Sequence, residues 1–268
     1  MTPAPPPDIA LRIGCAGWSI AARDAGLFGP GDSALARYAT RFACVEIDSS
    51  FYRPHRAATY ARWAASVPPG FRFSVKLPRT ITHDARLRGC GPALDAFLEG
   101  PLALGDALGC LLVQLPPSLA YDARTAGTFL RMLRRRWHGD IACEPRHARW
   151  CTPAADAMLQ GHRVARVAAD PARLGDDARP GGAASPVYWR FHGAPRIYYD
   201  AYDAEALQRI AKAVAMHATV RRWVIFDNTA AGHAVPNAAA LQTITASSSP
   251  RDNRLWQDAA FRRVPTDS

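Results

Sequence analysis

"ACVEIDSSFY", residues 43–52, sets the reading of the whole chain. Val45 and Ile47 alternate with Glu46 and Asp48, the period of a β-strand whose successive side chains point to opposite faces. The apolar pair suits a face covered by helices, so the two carboxylates must point into whatever the strand encloses. Isolated charges are costly there, which predicts a counter-ion, water or a ligand beside them. The run then leaves through Ser49, Ser50, Phe51 and Tyr52, a polar and aromatic exit.

The same grammar recurs in "LRIGCAGW" from 11, "FRFSVKLP" from 71, "CLLVQLPPS" from 110, "DIACEPRH" from 140, "VARVAAD" from 164, "PVYWRFHG" from 186 and "RWVIFDN" from 222. Together with residues 43–52 these make eight strand candidates. Between most of them lie stretches with apolar residues at three- and four-residue spacing: "SALARYATRF", "AATYARWAASV", "PALDAFLEGPLALGDAL", "ARTAGTFLRMLRRRW", "PAADAMLQGH" and "AEALQRIAKAVAMHATV". Each reads as a helix. Strand and helix in alternation predict an α/β protein, and eight such units in the ~250 residues usual for a (β/α)8 barrel predict a single TIM-barrel-like domain over residues 11–248. The irregular link "PARLGDDARPGGAAS" predicts a reduced sixth helix. Residues 1–10 read as an extended, proline-stiffened tail and 249–268 as a tail or short helix.

Of the 268 residues 49% are apolar, enough for a sizeable core, and the net charge is +10. That charge admits a nucleic-acid partner, but a chain rich in Ala, Arg, Pro and Gly carries arginine wherever a surface cation is needed. Lysine occurs only at 76 and 212. Lys76 is therefore informative: an ammonium loses its proton on burial, forms a Schiff base or acts as a compact charge, and guanidinium does not. The six cysteines show no C-x-x-C pair and no zinc spacing, and most fall in short apolar runs, as buried free thiols do. With neither a secretory leader nor a run of eighteen apolar residues, a cytoplasmic location without membrane contact is expected. No organic cofactor motif is present, and no protein partner is inferred.

In a barrel the reactive groups sit at the C-terminal ends of the strands, and nearly every run here ends in polar or aromatic residues. Glu46, Lys76, Glu144 and His192 are the candidate catalytic residues. Trp18, Phe51, Tyr52, His83, Gln114, Arg146, His147, Asp170, Arg190, Asn228 and Asn237 are the candidate ligand-binding set. Strand parity also turns Ser74 inward with Lys76, where neighbouring Arg146 and Arg190 would favour a neutral amine. For Glu46 and Glu144 the plain structural alternative is neutralisation of Arg190 or Lys76 in a buried ion network. For Trp18, Phe51 and Tyr52 it is packing.

"GCAGWS", "VEIDSSFYR", "RFSVKLPRTITHDARL", "LLVQLPPS", "EPRHARW", "RFHG" and "FDNTAAGHAVPNA", in that order over residues 11–241, resemble the YecE-like family, the group called domain of unknown function seventy-two. The resemblance implies a TIM-barrel-like fold and no established reaction. It covers every candidate above, together with Ser49 and Gly193. Asp48 and Asp227 depart from it, standing where the family pattern has asparagine.

The first functional expectation is an enzyme acting on a phosphate- or carboxylate-bearing small molecule by acid/base or lysine chemistry, with the connection "NTAAGHAVPNAAAL" offering backbone amides to an anion. The alternative is a nucleic-acid-binding or nucleic-acid-processing protein that uses Arg53, Arg56, Arg79, Arg86, Arg149 and Arg196 on phosphates and Trp18, Phe51 and Tyr52 on bases. A divalent-metal version, with Glu46, Glu144, Asp170 and His192 as ligands, ranks third. The run "RMLRRRW" at 131–137 reads as a solvated helix face.

Overall fold

The computed structural model describes residues 10–172 and 179–247. Most of the expected N-terminal tail, all of the C-terminal tail and the middle of the link after residue 170 lie outside these residues. Among the described residues ten strands run in chain order: β1 Leu11–Cys15, β2 Cys44–Ile47, β3 Arg72–Lys76, β4 Leu108–Gln114, β5 Asp140–Glu144, β6 Ala165–Arg166, β7 Ala168–Asp170, β8 Gly181–Gly182, β9 Val187–Phe191 and β10 Arg222–Phe226. Seven helices accompany them: α1 Ala34–Ala39, α2 Ala57–Ala65, α3 Gly91–Leu98, α4 Ala123–Arg136, α5 Pro153–Gly161, α6 Ala204–Ala215 and α7 Ala234–Ser247.

The strands form two sheets, ordered β2-β3-β4-β5-β6-β8 and β1-β10-β9-β7. Every pairing is parallel except that of β6 with the two-residue β8, a strand the sequence pattern did not announce. Each of the eight expected runs contains strand. The run at 164–170 is divided at Val167, so that β6 belongs to one sheet and β7 to the other. At the opposite border, Ala16 and Glu46 form a parallel bridge and the Gly17 N–H donates to the Glu46 carbonyl at 2.9 Å. Gly14 allows this approach, because a Cβ there would run into the Cys44 carbonyl.

Parity along the strands sorts the apolar residues into two clusters. Val45, Ile47, Phe73, Val75, Leu111 and Val113 join the large core with helix residues such as Phe129 and Leu133. Cys44, Cys110, Leu112, Ala142, Ala165, Val167, Tyr188, Trp223 and Ile225 form a second core between the strands, on the face that also carries Glu46, Glu144 and Arg190. All six cysteines are free thiols, five of them buried.

Helix starts follow local chemistry: Ser33, Asp122, Thr152 and Asp203 each accept a hydrogen bond from a first-turn amide. The helix expected across 92–108 is broken. α3 stops at Leu98, Pro101 begins a 3-10 segment, and Gly105 turns the chain with φ 54°, since proline brings no amide donor and only glycine takes that φ freely. The arginines of "RMLRRRW" are also more than a solvated face. Arg134 donates to the carbonyls of Gly139, His162 and Arg163, and Arg136 to both oxygens of Asp95. Between Asp170 and Val187 the described residues contain no helix. None of the described helices is long and apolar enough to cross a membrane.

Candidate functional site

Arg190, near the end of β9 and fully buried, is the centre of a charge cluster at the C-terminal ends of the strands. Its Nε and Nη2 donate to the two oxygens of Glu46 at 3.1 and 2.6 Å, its Nη1 to Glu144 Oε2 at 2.7 Å, and its Nη2 also to Asp227 Oδ2 at 3.1 Å. Two residues on, His192 shares its face. Nδ1 lies 2.9 Å from Asp227 Oδ2 and Nε2 lies 3.0 Å from Glu144 Oε1. Arg146, just beyond β5, donates from Nε and Nη2 to that same Glu144 oxygen at 3.0 and 2.7 Å, and Gln114 donates to Oε2 at 2.8 Å. On the other side the Tyr188 hydroxyl donates to Glu46 Oε2 at 2.9 Å and lies 2.9 Å from Ser74 Oγ.

The two glutamates on this one guanidinium are not equivalent. Burial raises Glu46, and the opposing pull of Arg190 is offset by the nearby carboxylates of Asp48 and Asp227. Burial acts on Glu144 in the same sense, but Arg190, Arg146 and His192 together hold it well below the usual carboxylate range. Asp227 is likewise lowered, Arg190 and His192 outweighing its burial. Burial alone would lower His192, yet Glu144 and Asp227 raise it above its ordinary 6.5. The cluster therefore sets a carboxyl whose proton affinity is raised beside one whose proton affinity is lowered, and holds an imidazole of raised proton affinity between two carboxyl groups.

Lys76 joins the cluster differently from expectation. Its Nζ donates to Asp48 Oδ1 at 2.7 Å and lies 4.3 Å from the centre of the Phe51 ring, and Asp48 is also 3.7 Å from Arg190. Its immediate partner is thus a carboxylate and a ring face, and the expected surround of cations is corrected. For the metal-dependent version, a guanidinium stands between Glu46 and Glu144, and among the described residues no group of three or more His, Cys, Asp or Glu side chains is placed to hold a metal ion.

The remaining candidates divide by place. Half-buried His83 packs edge-on to Phe51 at 4.9 Å, Tyr52 is 78% exposed beside it, and half-buried Trp18 packs on Trp63 at 5.0 Å. Through Phe51, His83 and Tyr52 gather on the Lys76 side of the cluster, whereas the ring contact of Trp18 is with Trp63. His147 caps a short turn through the Arg149 amide. Asp170 contributes its carbonyl, which accepts from the His192 N–H at 2.8 Å and the Tyr202 hydroxyl at 3.1 Å. Asn228 and Asn237 bind each other at 2.9 Å and hold Tyr202 and Asp200, so they buttress residues 193–203 from behind.

Sequence reasoning did not place Tyr188, Asp227 or Tyr198 among the candidate site residues. Tyr188 has the parity of Arg190 and His192, and Asp227 that of Ile225, so alternation carried the signal for both. Tyr198 had none. It takes a left-handed φ of 71°, its N–H donates to the His192 carbonyl at 2.5 Å, and its ring stands edge-on to the imidazole at 5.7 Å.

Comparison with known proteins adds the following. Residues 12–258 match the family described as "Protein of unknown function DUF72". UPF0759 protein YecE of Escherichia coli K12 is 35% identical over 86 residues, and UPF0759 protein YunF of Bacillus subtilis 168 is 30% identical over 128 residues. The chain spans 32% of the length of the former and 44% of the latter, and the same shares of its own length. Among solved structures, a DUF72 family protein from Enterococcus faecalis V583 superposes with TM-score 0.73 at 22% identity, covering 88% of this chain and 96% of that one. One from Thermotoga maritima MSB8 gives 0.71 at 23%, covering 88% and 99%. D-psicose 3-epimerase from Clostridium cellulolyticum H10 reaches 0.50 at 10% identity, covering 77% and 89%, a likeness of fold alone.

Proposed function

The chain belongs to the DUF72 family of proteins of unknown function, and from that premise we propose that it is a (β/α)8-barrel enzyme performing general acid/base chemistry on a small molecule that bears a phosphate or carboxylate. The barrel reading joins the two sheets at both borders: through the single run 165–170 that serves both, and through the Ala16–Glu46 bridge. The enclosed second core of alternate strand residues supports it.

The observation that carries the enzymatic reading is His192 held between Glu144 and Asp227 around a buried Arg190. Apolar side chains of similar volume would stabilise a core as well as such a network does, so stability alone does not account for it. Four acidic side chains (Glu46, Asp48, Glu144, Asp227) face four basic ones (Lys76, Arg146, Arg190, His192), so the cluster is neutral when all eight are charged. Lys76 and Arg146 stand at its solvent edge, with side chains 7% and 12% exposed, and are the groups that would meet an arriving anion. The added negative charge is balanced by a proton on Glu46, the carboxyl whose burial favours uptake. His192 supplies the general acid and its conjugate base, and Lys76 acts as an anchoring ammonium instead of a nucleophile.

The test is titration with inorganic phosphate and with acetate, followed through the His192 ring resonances. Both anions are expected to move those resonances, with affinity falling about tenfold in Lys76→Gln and in Arg146→Gln and rising in Asp48→Asn, which frees Lys76. Resonances unmoved up to about 10 mM of either anion, or affinities indifferent to all three substitutions, would overturn the proposal.

A further inference from the structure

We propose a second ligand site, separate from the charge cluster and built for a small zwitterion of the amino-acid type, in the cavity between the ends of β1 and β10 and the start of α7. The cavity holds about 560 Å³ and is walled largely by small and apolar side chains, a volume that admits a molecule of amino-acid size with room for a side chain.

Its polar lining has two poles of opposite sign. One is Asp24, in the 3-10 segment after β1, which is 8% exposed and faces the cavity. Its carboxylate accepts no hydrogen bond from the described residues. Arg23, which also lines the cavity, forms an ion pair with Asp24 at 3.7 Å, too long for a hydrogen bond, and directs its Nη2 to the carbonyls of Ala231 and Gly232 at 2.7 and 3.0 Å. A carboxylate on a cavity wall whose one ion-pair partner gives it no hydrogen bond is an acceptor for a ligand ammonium. The other pole is the first turn of the fourteen-residue α7, where Ala234 and Val235 line the same cavity and their amides donate to no acceptor among the described residues. Those amides, at the positive end of the helix dipole, suit a carboxylate. The Ser19 and Thr229 hydroxyls complete the wall. An inorganic anion would satisfy the helix end and be repelled by Asp24, whereas an ammonium and a carboxylate on one small molecule satisfy both.

The test uses the full-length wild-type protein and the twenty standard amino acids, each at about 10 mM, with the shift in melting temperature as first readout and calorimetric Kd for any binder. At least one amino acid is expected to bind, with its decarboxylated amine and its deaminated hydroxy acid each at least about tenfold weaker. Asp24→Asn, which keeps the side-chain shape, should weaken binding by about the same factor while melting like wild type, and Glu144→Gln should leave it unchanged. No binder in the set, a hydroxy acid as tight as its parent amino acid, or a folded Asp24→Asn variant with wild-type affinity would overturn the site. Failure of phosphate and acetate to perturb His192 would leave it untouched, since the two sites share no residue.

Discussion

At the scale of single residues the decisive feature is the difference between two glutamates on one arginine. Replacing Arg190 by Met leaves Glu46, Glu144 and Asp227 buried without their counter-ion and should cost about 3–5 kcal/mol in chemical denaturation; pairing it with Glu46→Gln should recover part of that loss. His192 supplies a pH signature. Its folded pKa is raised above 6.5, so its contribution to stability is complete below 6.5 and is lost as pH rises through the folded value. Melting curves should therefore show a decline on the alkaline side that His192→Gln removes. Glu144 and Asp227, both lowered, contribute above their ordinary carboxylate values, and that contribution disappears as pH falls through the folded ones. Tyr198 carries backbone strain in a left-handed conformation unusual for a bulky side chain. Tyr198→Gly should leave the melting temperature unchanged or raised, because relief of roughly 1 kcal/mol of strain offsets the flexibility of glycine. The His192 titration, stripped of its cover, should move back toward 6.5. A melting temperature lower by several degrees would show that Tyr198 serves packing instead.

Among the secondary-structure elements, the border between β1 and β2 is the narrowest part of the design. Gly14→Ala places a methyl group against the Cys44 backbone, which cannot yield as a flexible side chain can, so at least about 1–3 kcal/mol of stability should be lost. Gly161, at the end of α5, meets nothing within 4 Å and has no positive φ. Gly161→Ala should stabilise by about 0.4–1 kcal/mol, and urea melts of the two alanine variants should move in opposite directions. The elements themselves were largely legible. Alternation located all eight strand runs, and apolar spacing of three and four residues located α1 to α6. What periodicity missed was local interruption: the break at Pro101 inside an apolar repeat, the division of 164–170 at Val167, and the Gly181–Gly182 bridge, too short to have a period.

For the molecule as a whole, the +10 charge has to be reconciled with its distribution. Of the arginines that would serve a nucleic-acid reading, Arg79 pairs with Asp84, Arg86 donates to Ser118, and Arg196 pairs with Asp200. A phosphate-tracking surface needs such groups free, so affinity for duplex or single-stranded DNA should fall only gently with salt. A slope of log affinity on log salt implying about six or more neutralised phosphates would give the nucleic-acid alternative first place.

Residue order was enough to show an α/β chain with parallel strands, the family it belongs to, and which residues share a strand face, because strand parity is a local property of the backbone and every residue of that face inherits it. Partnership was not available at that level. Lys76 was read against the cations it shares a face with, and its neighbour proved to be Asp48. Glu46 and Glu144 looked alike in sequence, yet Arg190, 144 and 46 residues away from them, meets two carboxylates whose proton affinities diverge. Tyr198 covers His192 through a backbone angle that no pattern of residue types announces. Electrostatic interaction depends on distance and burial in three dimensions, so the identity of the inward groups could be read along the chain, while their protonation and pairing arose only when strands remote in sequence came side by side.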